Sequence, residues 1–179
     1  MQYLPEGSRL HTPENQAALH SVASMERAMH AGTILEARAV LCDSGHNLTV
    51  QLPCMRGWIP REEGAMGITD GTTKDIALIA RAGKPVCFRI LRISQDETGA
   101  VAILSRRAVQ EECWEQYLSR RRVGDILPAT VTHLEKFGAF VDIGCGIPSL
   151  LPIDTISVSR ISHPRDRFVI GQKIRAVVR

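Results

Sequence analysis

The sequence repeats itself once, and this repeat limits the folds open to the chain. Residues 31–37 (AGTILEA) align with residues 123–129 (VGDILPA), and Trp58-Ile59-Pro60 aligns with Leu150-Leu151-Pro152. One repeat with its linker spans roughly ninety residues, which is too long for a solenoid unit and suits a small domain. The chain is therefore predicted to contain two related small domains.

Turn residues divide each repeat into stretches with the length of strands. In the first repeat, residues 74–81 suggest a short helix between the third and fourth strands. Five antiparallel strands with a helix there are typical of a Greek-key OB barrel, whereas an immunoglobulin-like sandwich needs about seven strands and no such helix. We predict a mainly β fold with short helices and two tandem five-stranded OB barrels. The strands are expected at 33–42, 47–52, 57–60, 85–94 and 100–105, then at 126–134, 138–143, 149–152 and 172–179.

The second repeat ends one hairpin and one strand short of the first. Either the sequence is a fragment of a longer protein or the last barrel is completed from elsewhere, and we favour a fragment. An incomplete barrel exposes a strand edge that could pair with a neighbour. The expected domains are 1–30 (lead-in and helix), 31–107 (first OB domain), 108–122 (helical linker) and 123–179 (second, incomplete OB domain).

Helical patterns lie on either side of the first repeat. Thr12 followed by Pro13 is a typical helix start, and Gly32 would close that helix after His30. A second helical pattern covers residues 108–120. The buried stripe of the N-terminal helix is expected to contain Ala17, Leu19, Val22, Met25 and Met29.

The run from Phe137 to Gly144 (FGAFVDIG) is predicted to hold a strand with an aromatic outer face. Side chains alternate across a strand, and Ala139, Val141 and Ile143 supply an inward set. Phe140 then faces outward, and Phe137 lies at the loop edge. Exposed rings of this kind provide the stacking platform that single-stranded nucleic acid needs.

Positive charge is concentrated in the second repeat. Residues 1–118 hold 12 lysines and arginines against 14 acidic residues, whereas residues 119–179 hold 10 against 5. The basic part of the chain is thus the part with the exposed rings, a combination expected of a protein that binds nucleic acid.

Several classes of protein find no support in the sequence. There is neither a signal peptide nor an apolar run of membrane-spanning length, so we expect a cytoplasmic protein that does not enter the membrane. No ligand spacing indicates a metal or cofactor, and no acid–base constellation indicates an enzyme. The scattered cysteines are expected to be buried reduced thiols, namely Cys42, Cys54, Cys87, Cys113 and Cys145.

The second repeat closely resembles the S1 RNA-binding domain, an OB-fold family that occurs in tandem copies in bacterial small-subunit ribosomal protein S1. The first repeat resembles the early copies in such proteins more weakly, through Arg56-Gly57-Trp58-Ile59-Pro60 and residues 104–108. The resemblance covers most of the chain after His30. In the second repeat it rests on Gly124-Asp125, residues 137–142, Leu150-Leu151, His163-Pro164 and Ile170-Gly171.

This resemblance implies a non-enzymatic protein that binds single-stranded RNA, with mRNA in translation as the expected partner. Phe137 and Phe140 match the stacking aromatics of the family, and His163 matches a further family position. Lys136 and the arginines are expected to contact phosphates because of their charge and expected placement. The candidate RNA-binding residues are Phe137, Phe140, Lys136, His163, Arg160, Arg165 and Arg175.

Departures from the family pattern keep other interpretations open. The Asp and Arg that the family has around its last hairpin are expected beyond Arg179. Pro152 stands where the family usually has a histidine, and the second strand of the first repeat has no aromatic residue. The first repeat could therefore dock on proteins of the small ribosomal subunit, with Trp58 as an anchor. One alternative is a protein-docking module with minor RNA binding. The other is an accessory RNA-binding part of a larger RNA-processing or other enzyme.

Overall fold

Two separate sheets contain the strands of the computed structural model, which describes residues 2–179. One sheet lies in a unit formed by residues 6–112. The other lies in a unit formed by residues 113–179 together with residues 2–5. The predicted mainly β architecture with short helices is confirmed.

The first sheet closes on itself as a barrel, here called the first barrel. Its strand order is β1-β2-β3-β5-β4, with β3 and β5 parallel and the other pairs antiparallel. A short helix, α3, lies between β3 and β4 in the chain, as the OB prediction requires. The elements are β1 (Leu35–Cys42), β2 (Leu48–Gln51), β3 (Arg56–Ile59), α3 (Ile76–Ile79), β4 (Pro85–Asp96) and β5 (Gly99–Ser105).

Alternating apolar residues fill the interior of the first barrel. Leu48, Val50 and Ile59 are buried, whereas Thr49 between the first two is partly exposed. The register of β1 against β2 shifts between Ala39 and Leu41. This bulge turns the end of β1, so Leu41 faces water while Ala39 is buried.

The N-terminal region forms two helices, so the prediction of one continuous helix was wrong. These are α1 (Pro13–Leu19) and α2 (Val22–Ala31). Ser21 begins α2 through reciprocal hydrogen bonds with Ser24, a capping box that starts a helix rather than continuing one. Within the expected stripe, Leu19 and Met25 are buried, whereas Ala17 and Val22 are exposed.

A buried charge network fastens residues 6–9 to the first barrel. The Glu6 carboxylate accepts hydrogen bonds from Arg106 Nε at 2.7 Å and from Arg81 Nη1 at 3.0 Å. Burial alone would raise the Glu6 pKa, but these guanidinium groups hold it well below its ordinary value. The Glu36 carboxylate accepts from the backbone N–H groups of Gly7 and Arg9 at 2.9 and 3.0 Å. Burial nevertheless raises the pKa of Glu36 to about 7.

The second sheet repeats four of these strands in the same arrangement. Its order is β8-β7-β6-β9, and every pair is antiparallel. This order matches β3-β2-β1-β4 of the first barrel, and within residues 2–179 no strand joins β8 to β9. A groove of roughly 740 Å³ lies on that open side, lined in part by Leu127, Val141, Leu151 and Ile174. The strands are β6 (Ile126–Glu135), β7 (Gly138–Asp142), β8 (Pro148–Pro152) and β9 (Lys173–Val177).

Residues 2–5 belong with the second sheet, and no feature of the sequence predicted this. The Tyr3 ring stacks on that of Tyr117, with centroids 5.9 Å apart. Leu4 O accepts a hydrogen bond from Cys145 N at 2.9 Å. The predicted linker helix 108–120 is α4 (Arg107–Gln116) followed by a short 3-10 helix, Leu118–Arg120.

The cysteines follow the prediction only in part. Cys87, Cys113 and Cys145 are buried, but Cys54 is exposed and Cys42 is half-buried. All five are free thiols. None of the helices in residues 2–179 combines the length and the apolar character needed to cross a membrane.

Candidate nucleic-acid interface

Strand β7 places its aromatic residue on the outside of the second sheet. Ala139 and Val141 have no exposed surface and pack inward, whereas Phe140 between them is partly exposed. Phe137, in the turn before β7, is 56% exposed. The outward orientation predicted for Phe140 is confirmed. Asp142 has the same parity, but its side chain is buried, where Oδ1 accepts hydrogen bonds from Gly144 N and Gly146 N.

Three rings cluster on this outer face. The centroids of Phe137 and Phe140 lie 6.1 Å apart with the rings nearly perpendicular, the edge-to-face geometry that aromatic pairs favour. The His133 ring lies 6.3 Å from Phe140 on the other side. The exposed faces of these rings form an aromatic surface on the side of the sheet that does not pack into the core.

Strand register explains why the rings meet. His133 of β6 pairs with Phe140 of β7, which in turn pairs with Leu150 of β8. These three side chains form one row across the sheet, here called the outer row of the second sheet. Leu150 is 42% exposed, so the row ends in an accessible apolar side chain.

Sequence reasoning missed His133 because β6 is irregular. The register shifts between Val131 and His133, and this bulge brings His133 opposite Phe140. Alignment of the two repeats alone could not reveal a bulge. The His133 Nε2 atom also lies 2.7 Å from Glu135 Oε1, and both side chains are exposed.

Gly138 allows the strands to approach closely beside the rings. A Cβ atom at this position would lie 2.3 Å from the carbonyl oxygen of Leu151, a distance that no real side chain occupies. The Phe137 carbonyl also accepts a hydrogen bond from Ile153 N at 2.9 Å. The turn that carries Phe137 is thus fixed against the end of β8.

Lys136 and His163 occupy different segments of the second sheet. Lys136 is exposed and directly precedes Phe137 in the same turn. His163 precedes a short 3-10 helix, Pro164–Asp166. Its Nδ1 accepts a hydrogen bond from Arg165 N at 3.1 Å, which leaves Nε2 as the ring nitrogen available to a ligand.

The three candidate arginines are less uniform in placement. Arg160 and Arg165 are exposed on the connection between β8 and β9. Arg175 lies on β9 and pairs with Pro128 of β6. Pro128 and His133 are five positions apart along β6, roughly 15 Å at the rise of a strand. The structure therefore does not bring Arg175 to the outer row, and its contact with RNA stays a prediction.

Comparison with known proteins identifies a family and several relatives that the chain resembles. The family model described as S1 RNA binding domain matches residues 120–179. Small ribosomal subunit protein bS1 of Neisseria meningitidis is 30% identical over 159 residues, which is 87% of this chain and 27% of that protein. Its counterpart in Streptococcus pneumoniae is 31% identical over 100 residues, which is 56% of this chain and 24% of that protein. The chain thus spans about a quarter of the length of these relatives.

A solved structure was also found, a multidomain protein with nucleic acid binding domains from Streptococcus pneumoniae. It is 12% identical, covers 80% of this chain and 40% of its own, and has a TM-score of 0.24. That score is too low to establish a shared overall arrangement.

Proposed function

We propose that this chain, whose residues 120–179 match the family model described as S1 RNA binding domain, binds single-stranded RNA on the outer row of its second sheet. The ring cluster carries this proposal, because its three rings reach solvent on the face of the sheet opposite the buried residues Ala139 and Val141. Stacking of a base on an aromatic side chain contributes roughly 1–3 kcal/mol and accepts any base. A duplex hides its base faces, so the row selects single strands.

Cations near the rings supply the second part of the interaction. We assign to Lys136, which is exposed and adjacent to Phe137 in the chain, a contact with the phosphate next to a base stacked on Phe137. Arg160, Arg165 and His163 lie on the exposed connection between β8 and β9, and Arg175 lies farther away on β9. Each phosphate contact releases counterions, so affinity falls as salt rises.

The relatives suggest the cellular setting. They are named as small ribosomal subunit proteins, and we place this chain in the same process, as an RNA-binding protein of translation with mRNA as its natural ligand. A cytoplasmic location and a non-enzymatic role follow from that setting.

The test is a titration of labelled single-stranded RNA followed by fluorescence anisotropy at several salt concentrations. A duplex RNA of equal length serves as the control, because both ligands present a charged backbone. Preference for the single strand, with a negative slope of log affinity against log salt of a few units, is the expected result. Equal affinity for the two ligands would exclude base stacking as the source of binding.

A further inference from the structure

The first barrel has an outer row that corresponds to the one in the second sheet. Leu41 pairs with Thr49, and Thr49 pairs with Trp58. The β1 bulge directly precedes Leu41, as the β6 bulge directly precedes His133. Strand order and bulge position together make these three residues the counterparts of His133, Phe140 and Leu150.

An aromatic residue is present in this row, but one strand away from its place in the second sheet. Trp58 is partly exposed, while its neighbours Gly57 and Ile59 are buried in the barrel. Trp58 also pairs with Ile103 of β5, which is partly exposed. The core of the barrel is therefore filled by other side chains, and the indole lies on the outer face.

Arginines surround this face. Arg38 and Arg56 lie in the neighbouring row, joined through Gln51. Arg92 pairs with Ile103, which places it in the row of Trp58. Arg38 donates to the carbonyl of Gly83, and Arg56 pairs with Asp96.

Arg92 differs from these two arginines. It is exposed, and within residues 2–179 its guanidinium group forms no ion pair or side-chain hydrogen bond. This face carries three arginines, and Asp96 neutralises only one of them. The face is therefore net positive and complements an anionic ligand. Polar Thr49 lies between the apolar side chains of the row and could hydrogen-bond to a base edge.

We propose that the outer face of the first barrel is a second single-stranded RNA site, in which a base stacks on Trp58 and Arg92 contacts an adjacent phosphate. This proposal rests on the proposed function only for the idea that a base stacks on an outer row. The residues that would bind RNA here differ from those of the second sheet. An aromatic face, polar groups and an unpaired arginine in one row are the components of sequence-tolerant binding to single strands. Strand β2 has no aromatic residue, but Trp58 on β3 supplies a ring in the same row.

Fluorescence of Trp58 provides a direct test. The chain has two tryptophans, and Trp114→Phe leaves Trp58 as the only one. This variant also carries Phe137→Ala and Phe140→Ala, so that the rings of the second sheet are absent. It is titrated with single-stranded oligouridine, with free N-acetyltryptophanamide as the correction for absorption by the ligand. Saturable quenching of Trp58 is expected, with no quenching by duplex RNA of equal length.

Two charge reversals distinguish the site from general attraction. Arg92→Glu is expected to weaken the quenching titration about fivefold or more, because a phosphate contact becomes a repulsion. Arg27→Glu is the matched control, since Arg27 is also exposed but lies on α2. Its effect should stay below about twofold. Equal effects of the two reversals would overturn the proposal.

Unchanged Trp58 fluorescence at saturating RNA would also overturn the proposal and would favour protein docking on this face. Failure of the proposed function has a different result. In that case Phe137→Ala with Phe140→Ala leaves the RNA affinity of the chain unchanged, whatever Trp58 reports.

Discussion

The two repeats share their inward chemistry and differ in their outward chemistry. Inward positions of both carry small or branched apolar residues, such as Val50 in the first and Val141 in the second. The outward positions diverge along the corresponding row. Leu41, Thr49 and Trp58 in the first barrel correspond to His133, Phe140 and Leu150 in the second sheet.

This difference shows which residues determine the fold and which determine binding. The interior must be filled at close packing, so inward residues vary little in character. Outward residues contribute little to the core and are free to specify a ligand. The aromatic side chain of the row lies on β7 in one repeat and on β3 in the other, with the fold unchanged.

A second difference concerns buried charge. Glu36 of β1 is fully buried, and the position that aligns with it in the second repeat is Pro128. A carboxyl group with a raised pKa stabilises the fold at low pH and loses this contribution as pH rises through the folded value. Because of Glu36, the first barrel should lose stability as pH rises from 4.5 to about 7. Pro128 cannot produce this effect in the second sheet.

The largest predicted effect is on this pH dependence. In the wild type, the free energy of unfolding of the first barrel should fall by up to roughly 3 kcal/mol between pH 5 and pH 8. Glu36→Gln should abolish this fall. Urea unfolding followed by Trp58 fluorescence, in a Trp114→Phe background, measures it. Glu97→Gln, in the exposed β4–β5 turn, is the control. An identical pH profile for wild type and Glu36→Gln would refute this account of Glu36.

Close approach of strands at Gly138 gives the next largest effect. Gly138→Ala would place Cβ against the backbone of Leu151, and we expect the second sheet to lose about 1–3 kcal/mol of stability. Gly57→Ala in the first barrel meets only side-chain atoms, of which Leu104 Cδ1 is nearest at 3.0 Å and Val50 Cβ lies at 3.1 Å. Its cost should be smaller. Thermal unfolding measures the loss of stability in both variants. A larger loss for Gly57→Ala than for Gly138→Ala would contradict the close approach of strands at Gly138.

A graft tests whether the outer row can transfer the binding property. Thr49→Phe introduces a ring where the first barrel lacks the counterpart of Phe140. In a Phe137→Ala, Phe140→Ala background, this change should raise the affinity for single-stranded RNA about fivefold, because one stacking position is worth roughly 1 kcal/mol or more. Thr33→Phe, exposed before β1, is the control. An equal gain in RNA affinity from both substitutions would show that an added exposed ring binds RNA nonspecifically.

The smallest predicted effect concerns phosphate contacts. Lys136→Ala should reduce the slope of log affinity against log salt by about 0.7, the value for one phosphate contact on a single strand. Arg175→Ala should change it less, because Arg175 lies two strands away from β7. Anisotropy titrations at several salt concentrations measure both slopes, and a larger change for Arg175→Ala would place the RNA path across β9.

Periodicity and turn residues allowed the strands to be predicted from the sequence, because alternation follows directly from strand geometry. The helix break at Ser21 was missed because a capping box in the middle of a helical pattern resembles its continuation. His133 and the Leu41–Thr49–Trp58 row were missed because both depend on bulges, which shift register without changing the repeat. The role of residues 2–5 depends on long-range contacts that leave no local pattern.

The most direct test of the central claim is the double variant Phe137→Ala, Phe140→Ala, measured for both RNA affinity and thermal stability. Ile126→Ala, an exposed apolar residue at the start of β6, is the matched control. If the rings stack on bases, affinity for single-stranded RNA should fall about 30-fold or more, while the melting temperature stays close to that of the wild type and the control. Unchanged affinity, or a collapse of the melting temperature, would contradict the claim that these outward rings form the RNA-binding surface.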